Sequence, residues 1–392
     1  MSTPDWNALR KEFPTLASWT YLDVARKTVP PLAQERALRE YWRDVVENAG
    51  ADAWSAANVA ETRSVLARVL GAKPSEIAFT KNTTEGLNIA AHGFDLQRGD
   101  NIVLTDLEHV ANVWVWKHWE AKGVEIRSAR SREGRLPLEA FLERMDARTR
   151  VVSTAYVTYG NGYRVNLPEL GRACRERGVR LVVDGVQAAG ILATPLNALE
   201  ADLIAIGGHK GLFGLTGSGL VYCREELVNE LRTDFVKQPD AAEAAAPAHV
   251  QSQFDYVRTA HRFEGGNPNF LGIRVLRHGA EFIESIGLGA IERRVRELTT
   301  TCLRLLRAAG LESATPETWD ERAQIVNVLV PDAATLMERL REKHRVVTNV
   351  KDGALRLSMS FFNNEEDLER AVHAIGRELG GTAGSTARSA GA

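Results

Sequence analysis

Short apolar runs alternate with helix-period stretches along most of this chain, and that alternation predicts its architecture. Ile77 to Phe79, Asn101 to Thr105, Val151 to Val157, Leu181 to Asp184 and Leu203 to Gly207 are short apolar runs, and each reads as a strand. Between and beside them, Leu87 to His92, Asn112 to Lys122 and Leu167 to Arg177 carry the spacing of amphipathic helices. The run VVSTAYV does not alternate apolar with polar, as a strand buried on both faces would not. Strands interleaved with helices predict an α/β fold, a mostly parallel sheet between two helical layers.

The pattern changes at both ends of this block. The first twenty residues mix polar and aromatic side chains around the breakers Pro4 and Pro14 and read as an arm with a short helix. Helices are expected at Leu32 to Asn48 and at Val59 to Leu70, the second stopped by Gly71. The Ala- and Pro-rich segment 237–253 reads as a loop or lid. A long helix from Leu271 to Leu306, broken near Gly287 and Gly289, leads into a smaller α+β unit. In that unit strand Gln324 to Val330, helix Ala334 to Lys343, strand Leu355 to Met359 and helix Glu365 to Leu379 follow in order. The expected organisation is therefore an arm at 1–20, a large domain at 21–270, a linking helix and small domain at 271–380, and a disordered tail at 381–392.

Composition narrows the function classes. The 392 residues are 44% hydrophobic and 26% charged, which excludes disordered and collagen-like chains. Forty-nine basic residues against fifty-one acidic ones give a net charge of -2, so no bulk footprint for nucleic acid or an anionic membrane exists. Three cysteines cannot build a disulfide framework and point to a reducing compartment. No apolar stretch of about eighteen residues occurs, and the start MSTPDWNALRKEFP lacks a signal-peptide core. A soluble, cytoplasmic protein is the expectation.

Candidate chemistry concentrates in LVVDGVQAAG, from Leu181, and LIAIGGHKGLFGLTGSG, from Leu203. Asp184 ends one expected strand and Lys210 lies just past the next, after His209 and among glycines. Ligands of open α/β sheets bind beyond the carboxyl ends of strands, so both groups can face one crevice. An amine beside a carboxylate suits a carbonyl-bearing cofactor: the amine makes a Schiff base and the acid holds a protonated ring nitrogen. The glycine-rich stretch is not a phosphate loop, because no Gly-Lys-Ser/Thr closes it. In FTKNTTEGLNIAA, Thr83, Thr84 and Gly86 fall at a strand-to-helix junction, where a threonine cap and free N–H groups suit a phosphate; a plain helix cap is the alternative.

Taken together, TTEG, EHVAN, VDGVQAAG, GGHK with TGSG, RFEGGNPN and LRLS resemble the class V aminotransferase family of fold-type-I pyridoxal-phosphate enzymes. That family includes cysteine desulfurases and selenocysteine lyases, and the similarity runs from about Tyr21 to Leu379. The resemblance implies pyridoxal 5'-phosphate bound by Lys210, which would also shuttle the substrate's α-proton. It implies Asp184 at the ring nitrogen, Gln187 near the ring hydroxyl and His109 stacked on the ring. Thr84, the Thr83 backbone and His209 would hold the phosphate, and Arg356 the substrate carboxylate. A homodimer is implied, with RFEGGNPN completing the neighbouring subunit's phosphate pocket; no metal is.

Departures from the family pattern refine this. Gly207 stands where a serine is frequent, Asn267 where a threonine would be, and Tyr159 replaces an asparagine; Tyr159 would either reach the cofactor or pack. The DVARK segment puts Arg26 and Lys27 where small neutral residues are usual, and one of them would bind a second anionic group of the substrate unless both are solvated. The stretch HRVVTNVKDGALR before Arg356 lacks the nucleophilic cysteine of persulfide-forming desulfurases, while Cys174, Cys223 and Cys302 read as core residues. Trp114, Trp116 and Trp119 read as packing for a buried helix. The leading expectation is a β-eliminating C–S lyase without a persulfide relay. An aminotransferase is the alternative, then an epimerase or decarboxylating variant. A cofactor-sensing regulator is disfavoured, since no helix-turn-helix precedes Tyr21.

Overall fold

A computed structural model of the chain describes residues 4–233 and 257–386. The expected loop or lid at 237–253 lies outside the described residues. The main sheet comprises β1 Ile77–Thr80, β2 Asn101–Thr105, β3 Glu125–Ala129, β4 Thr149–Ala155, β5 Arg180–Asp184, β6 Leu203–Gly207 and β7 Gly219–Cys223. Their order is β1-β7-β6-β5-β4-β2-β3, with β7 antiparallel to both neighbours and the other pairings parallel. Strand β3 was not anticipated: in EIRSA charged residues alternate with small or apolar ones at an edge where one face is open, and Glu125 is exposed.

Two apolar cores lie on the two faces of this sheet, as expected of strands buried on both sides. Helices α1 Leu32–Glu47, α2 Ala56–Leu70, α3 Thr83–Gly93, α4 Val110–Lys117 and α5 Leu167–Glu176 cover it. Val183 and Ile204 pack with Leu66 of α2 and Leu170 of α5. Val182, Leu203 and Ala205 face the other way, onto Leu87 of α3 and Trp116 of α4. Gly86 permits that second contact, because a Cβ there would lie 2.8 Å from the Cβ of Ala205. Trp116 and Trp119 are buried as anticipated, but Trp114 is 66% exposed and is no part of the core.

The long helix breaks where expected: α6 Phe270–Ile286 and α7 Leu288–Ala308 meet at Gly287, whose φ of 88° no L-residue adopts readily. A third core belongs to the small unit, built of β8 Ile325–Val328, α8 Ala333–His344, β9 Asn349–Lys351, β10 Ala354–Ser358 and α9 Glu365–Thr386. Helix α9 continues to Thr386, past the point where a disordered tail was expected to begin; residues 387–392 lie outside the described residues. The arm is more than a polar leader. Thr20–Tyr21 pairs in parallel with Val346–Val347, and Phe13 packs on Phe362 with ring centroids 4.4 Å apart. Among the described residues, no helix is long and apolar enough to cross a membrane.

Candidate active site

Strands β5 and β6 are parallel neighbours with Asp184 opposite Ala205, so Asp184 and the segment carrying Lys210 leave the sheet side by side. Asp184 is buried, and its Oδ1 accepts the Val186 N–H at 3.0 Å. Burial pushes its pKa up, while the Lys210 charge and the Val186 hydrogen bond pull it back. The Lys210 amine is pushed down to about 8, first by desolvation, against the opposing pull of Asp184. An amine with that pKa is neutral in a minority of molecules near physiological pH, yet far more often than an ordinary lysine, and in that form can attack a carbonyl.

Beside this pair lies a cradle at the start of α3. The cap is Asn82, whose side chain accepts the Glu85 N–H at 2.9 Å, and not a threonine as the sequence suggested. Thr83 is buried and Thr84 exposed in the first turn that Asn82 fixes. A Cβ on Gly207 would stand 3.1 Å from Thr83 Oγ1 and 3.1 Å from His209 Cε1, so the glycine keeps open the space between hydroxyl and imidazole. Burial, then the charges of Lys210 and Lys27, lowers the pKa of His209 to about 4, so its ring is neutral. Its backbone carbonyl accepts the Thr28 N–H at 3.1 Å, tying the lysine loop to the DVARK segment.

His109 caps α4 through Nδ1, which accepts the Ala111 N–H at 3.2 Å. The proton of the neutral ring therefore sits on Nε2. The ring meets Tyr159 edge-on at 5.3 Å, and its pKa is lowered by burial and by Lys210 and Lys351. The Tyr159 hydroxyl donates to Asp352 at 3.1 Å. Gln187 donates its amide to the Ala25 carbonyl at 3.0 Å and packs against Gln324, rather than standing free toward a ring hydroxyl.

Sequence reasoning passed over Glu108. This buried acid accepts from Thr105 Oγ1 at 2.9 Å, Asn112 Nδ2 at 2.8 Å and the Ala155 N–H at 3.0 Å. Desolvation pushes its pKa up to about 7 against those three donors. It ties β2, α4 and β4 together immediately before His109. The Glu-x-x-x-Asn spacing inside EHVAN was the available signal, since such a pair shares one helix face.

Arg356 and Asp23, only 2% and 1% exposed, form a buried ion pair at 3.1 Å. Arg356 also donates to the Tyr159 carbonyl at 2.9 Å, and its Nε, buried, has no partner. Asn349 donates to both oxygens of Asp23, whose pKa burial raises while Arg356 opposes the rise. Arg26 is exposed three residues on, where its charge bears on Asp23 and Arg356. Asn267 is not brought to this site: it lines a separate cavity of about 920 Å³ with Trp54, Lys81, Glu85 and Gly217, which none of Lys210, Asp184 and His109 borders.

These residues fit pyridoxal phosphate: an amine of lowered pKa, a buried acid beside it, and an open cradle of hydroxyl, imidazole and helix start for the phosphate. The family model for class-V aminotransferases matches residues 20–371. The chain belongs to that family. As a member it is a pyridoxal-phosphate-dependent enzyme, a lyase or an aminotransferase. A probable cysteine desulfurase of Pyrococcus abyssi is 29% identical over 385 residues, covering 92% of this chain and 94% of that one. A cysteine desulfurase of Cronobacter sakazakii is 30% identical over 319 residues, covering 76% and 77%. Among solved structures, the apo cysteine desulfurase of Thermococcus onnurineus NA1 superposes with a TM-score of 0.85 at 26% identity, covering 97% of this chain and 99% of that one.

Proposed function

We propose that the enzyme breaks a Cβ–sulfur bond of an L-amino acid by β-elimination, without passing sulfur to a cysteine of its own. The observation that carries this reading is the hairpin before Arg356. Strands β9 and β10 are joined by Asp352 and Gly353 alone, with φ of 51° and 79°, the backbone of a tight two-residue turn. It is too short to carry a thiol on a mobile loop. The three cysteines lie buried elsewhere, with Cys174 and Cys302 both pushed up to about 12 by desolvation.

Pyridoxal phosphate, when bound, supplies the electron sink for the bond-breaking step. The chain's residues do the rest. Lys210 holds the cofactor and, once displaced by substrate, takes the α-proton on Nζ. Asp184 keeps the ring nitrogen protonated, and His109 fixes the plane of the ring. Thr83, Thr84 and His209 would seat the phosphate, and Arg356, whose buried Nε has no partner, would take the substrate carboxylate. The working unit is a homodimer, in which a second copy covers the cavity holding Asn267 and receives that side chain near its own phosphate; light scattering at twice 43.2 kDa checks it.

The function is tested by offering L-cysteine and related thioether amino acids to the reconstituted protein with and without a keto-acid acceptor. The expected result is keto acid plus sulfide or thiol with no acceptor present, and loss of both product and yellow colour in Lys210→Ala. Product that appears only with an acceptor would make it an aminotransferase, as the name of its family allows.

A further inference from the structure

We propose that the site selects an L-amino acid whose side chain bears a second negative charge, held by Lys351 and Arg26 while Arg356 takes the α-carboxylate. This rests on the reading of the site as one for an amino acid gripped by Arg356, and it adds the class of side chain.

The argument begins with pairing. Many basic side chains of the chain are matched with acids, Arg39 with Glu35 and Lys343 with Glu378 among them, while those without an ion pair, such as Arg43, Arg130 and Arg172, are exposed and lie on other segments of the chain. Among the described residues, neither Arg26 nor Lys351 makes a salt bridge or side-chain hydrogen bond, yet both border the Asp23–Arg356 pair. The Arg26 N–H donates to the Asp23 carbonyl at 3.1 Å, and Lys351 lies on β9, paired with the β10 strand of Arg356. Lys351 is half-buried at the end of β9, fixed by the tight turn that follows, with Nζ 5.9 Å from the centroid of the Tyr159 ring. The acid next to it, Asp352, is turned to the Tyr159 hydroxyl. The Tyr159 ring in turn meets His109 edge-on at 5.3 Å, so one side chain separates Lys351 from the reacting centre, and its charge adds to the lowering of the Lys210 and His109 pKa values.

Arg26 is exposed at the turn that follows Asp23, held by that backbone hydrogen bond, and its charge bears on Asp23 and Arg356. Lys27, by contrast, acts on His209 and belongs with the phosphate cradle. Asp23 does not balance the excess, because Arg356 and Asn349 already engage it. A ligand anion placed beside the half-buried Lys351 and within reach of the exposed Arg26 gains the attraction of both charges. A neutral amino acid brings one carboxylate, which Arg356 consumes, and leaves Lys351 and Arg26 unmatched. A side-chain carboxylate, sulfinate or sulfonate matches them.

The test compares near-isosteric ligands that differ in charge. L-Aspartate and L-asparagine are titrated into the cofactor-loaded enzyme, and binding is read from the cofactor's absorption. The wild-type enzyme is expected to bind aspartate about tenfold or more tightly than asparagine. That ratio falls in Lys351→Gln and in Arg26→Gln, approaches one in the double variant, and drops below one in Lys351→Glu. Equal affinity in the wild type, or a preference that survives in the double variant, overturns the inference and leaves the cofactor assignment standing. Failure to take up the cofactor, or to bind either amino acid, overturns the functional reading and this inference with it; the absorption spectrum separates the two failures.

Discussion

Lys210 and Asp184 act on each other's protons, and this coupling can be measured without turnover. The amine near 8 is depressed by desolvation, while the Asp184 carboxylate holds it up. Uptake of pyridoxal phosphate by the apoenzyme requires the neutral amine, so its rate should rise with pH through a midpoint near 8 rather than above 10. Asp184→Asn removes the group that favours the charged amine, so the midpoint must move lower. The same change leaves the ring nitrogen without its anion and should cut turnover by about a hundredfold or more. Stopped-flow absorbance over pH 6 to about 10 reads the first effect and steady-state assay the second. A midpoint that rises in the variant would contradict the assigned geometry. This pair was legible in the sequence because two short apolar strands end in an acid and a glycine-flanked lysine. The Asp23–Arg356 pair was not, since its partners are 333 residues apart and nothing local in DVARK marks its acid as buried.

Elements carry the site by their ends. Helix α3 offers its first turn to the cradle only because Asn82 ends the extended chain and bonds back to Glu85. Capping residues of this kind are worth about 0.5–2 kcal/mol. Asn82→Ala should therefore lower stability by about 1 kcal/mol and weaken cofactor retention, whereas Asn82→Ser, a neutral cap, should keep both. Denaturant melts of the apo form and dialysis of the loaded form separate the two effects. Equal cofactor retention in the alanine variant would mean that the helix start does not hold the phosphate. The cap illustrates how sequence and structure divide the information. TTEG located the junction, but asparagine and threonine are both good caps, and only the backbone decides between adjacent positions. The buried strands were legible from their unbroken apolar runs. Strand β3 was not, because Arg127 pairs with both Glu125 and Asp146 at an edge where charge is tolerated.

At the scale of the molecule, the arm is anchored in the main core and paired with the edge of the small unit. Phe13 touches Phe213 and Phe282, which belong to the large domain and the linking helix, and also Phe361 and Phe362, which precede α9. Arg10 reaches the same corner through two hydrogen bonds to Asp367, at 2.7 and 3.0 Å. The arm then runs through Thr20–Tyr21, paired with Val346–Val347, to Asp23 at the buried ion pair. None of this is visible in a segment whose own pattern is polar and broken by prolines, because its partners lie hundreds of residues away. Truncating a buried phenylalanine costs about 3–5 kcal/mol, the lost transfer energy plus the cavity left behind. Phe13→Ala should lose stability in that range in denaturant melts of the apo protein. Because the side chain and its aromatic partners share one core, the loss should appear as an unfolding midpoint at lower denaturant. The position of Asp23 depends on the same anchor, so amino-acid affinity should weaken in the variant while the cofactor, seated on the sheet, stays bound. If Phe13→Ala melts like the parent, the aromatic corner does not anchor the arm, and Asp23 must be held by Arg356 and Asn349 alone.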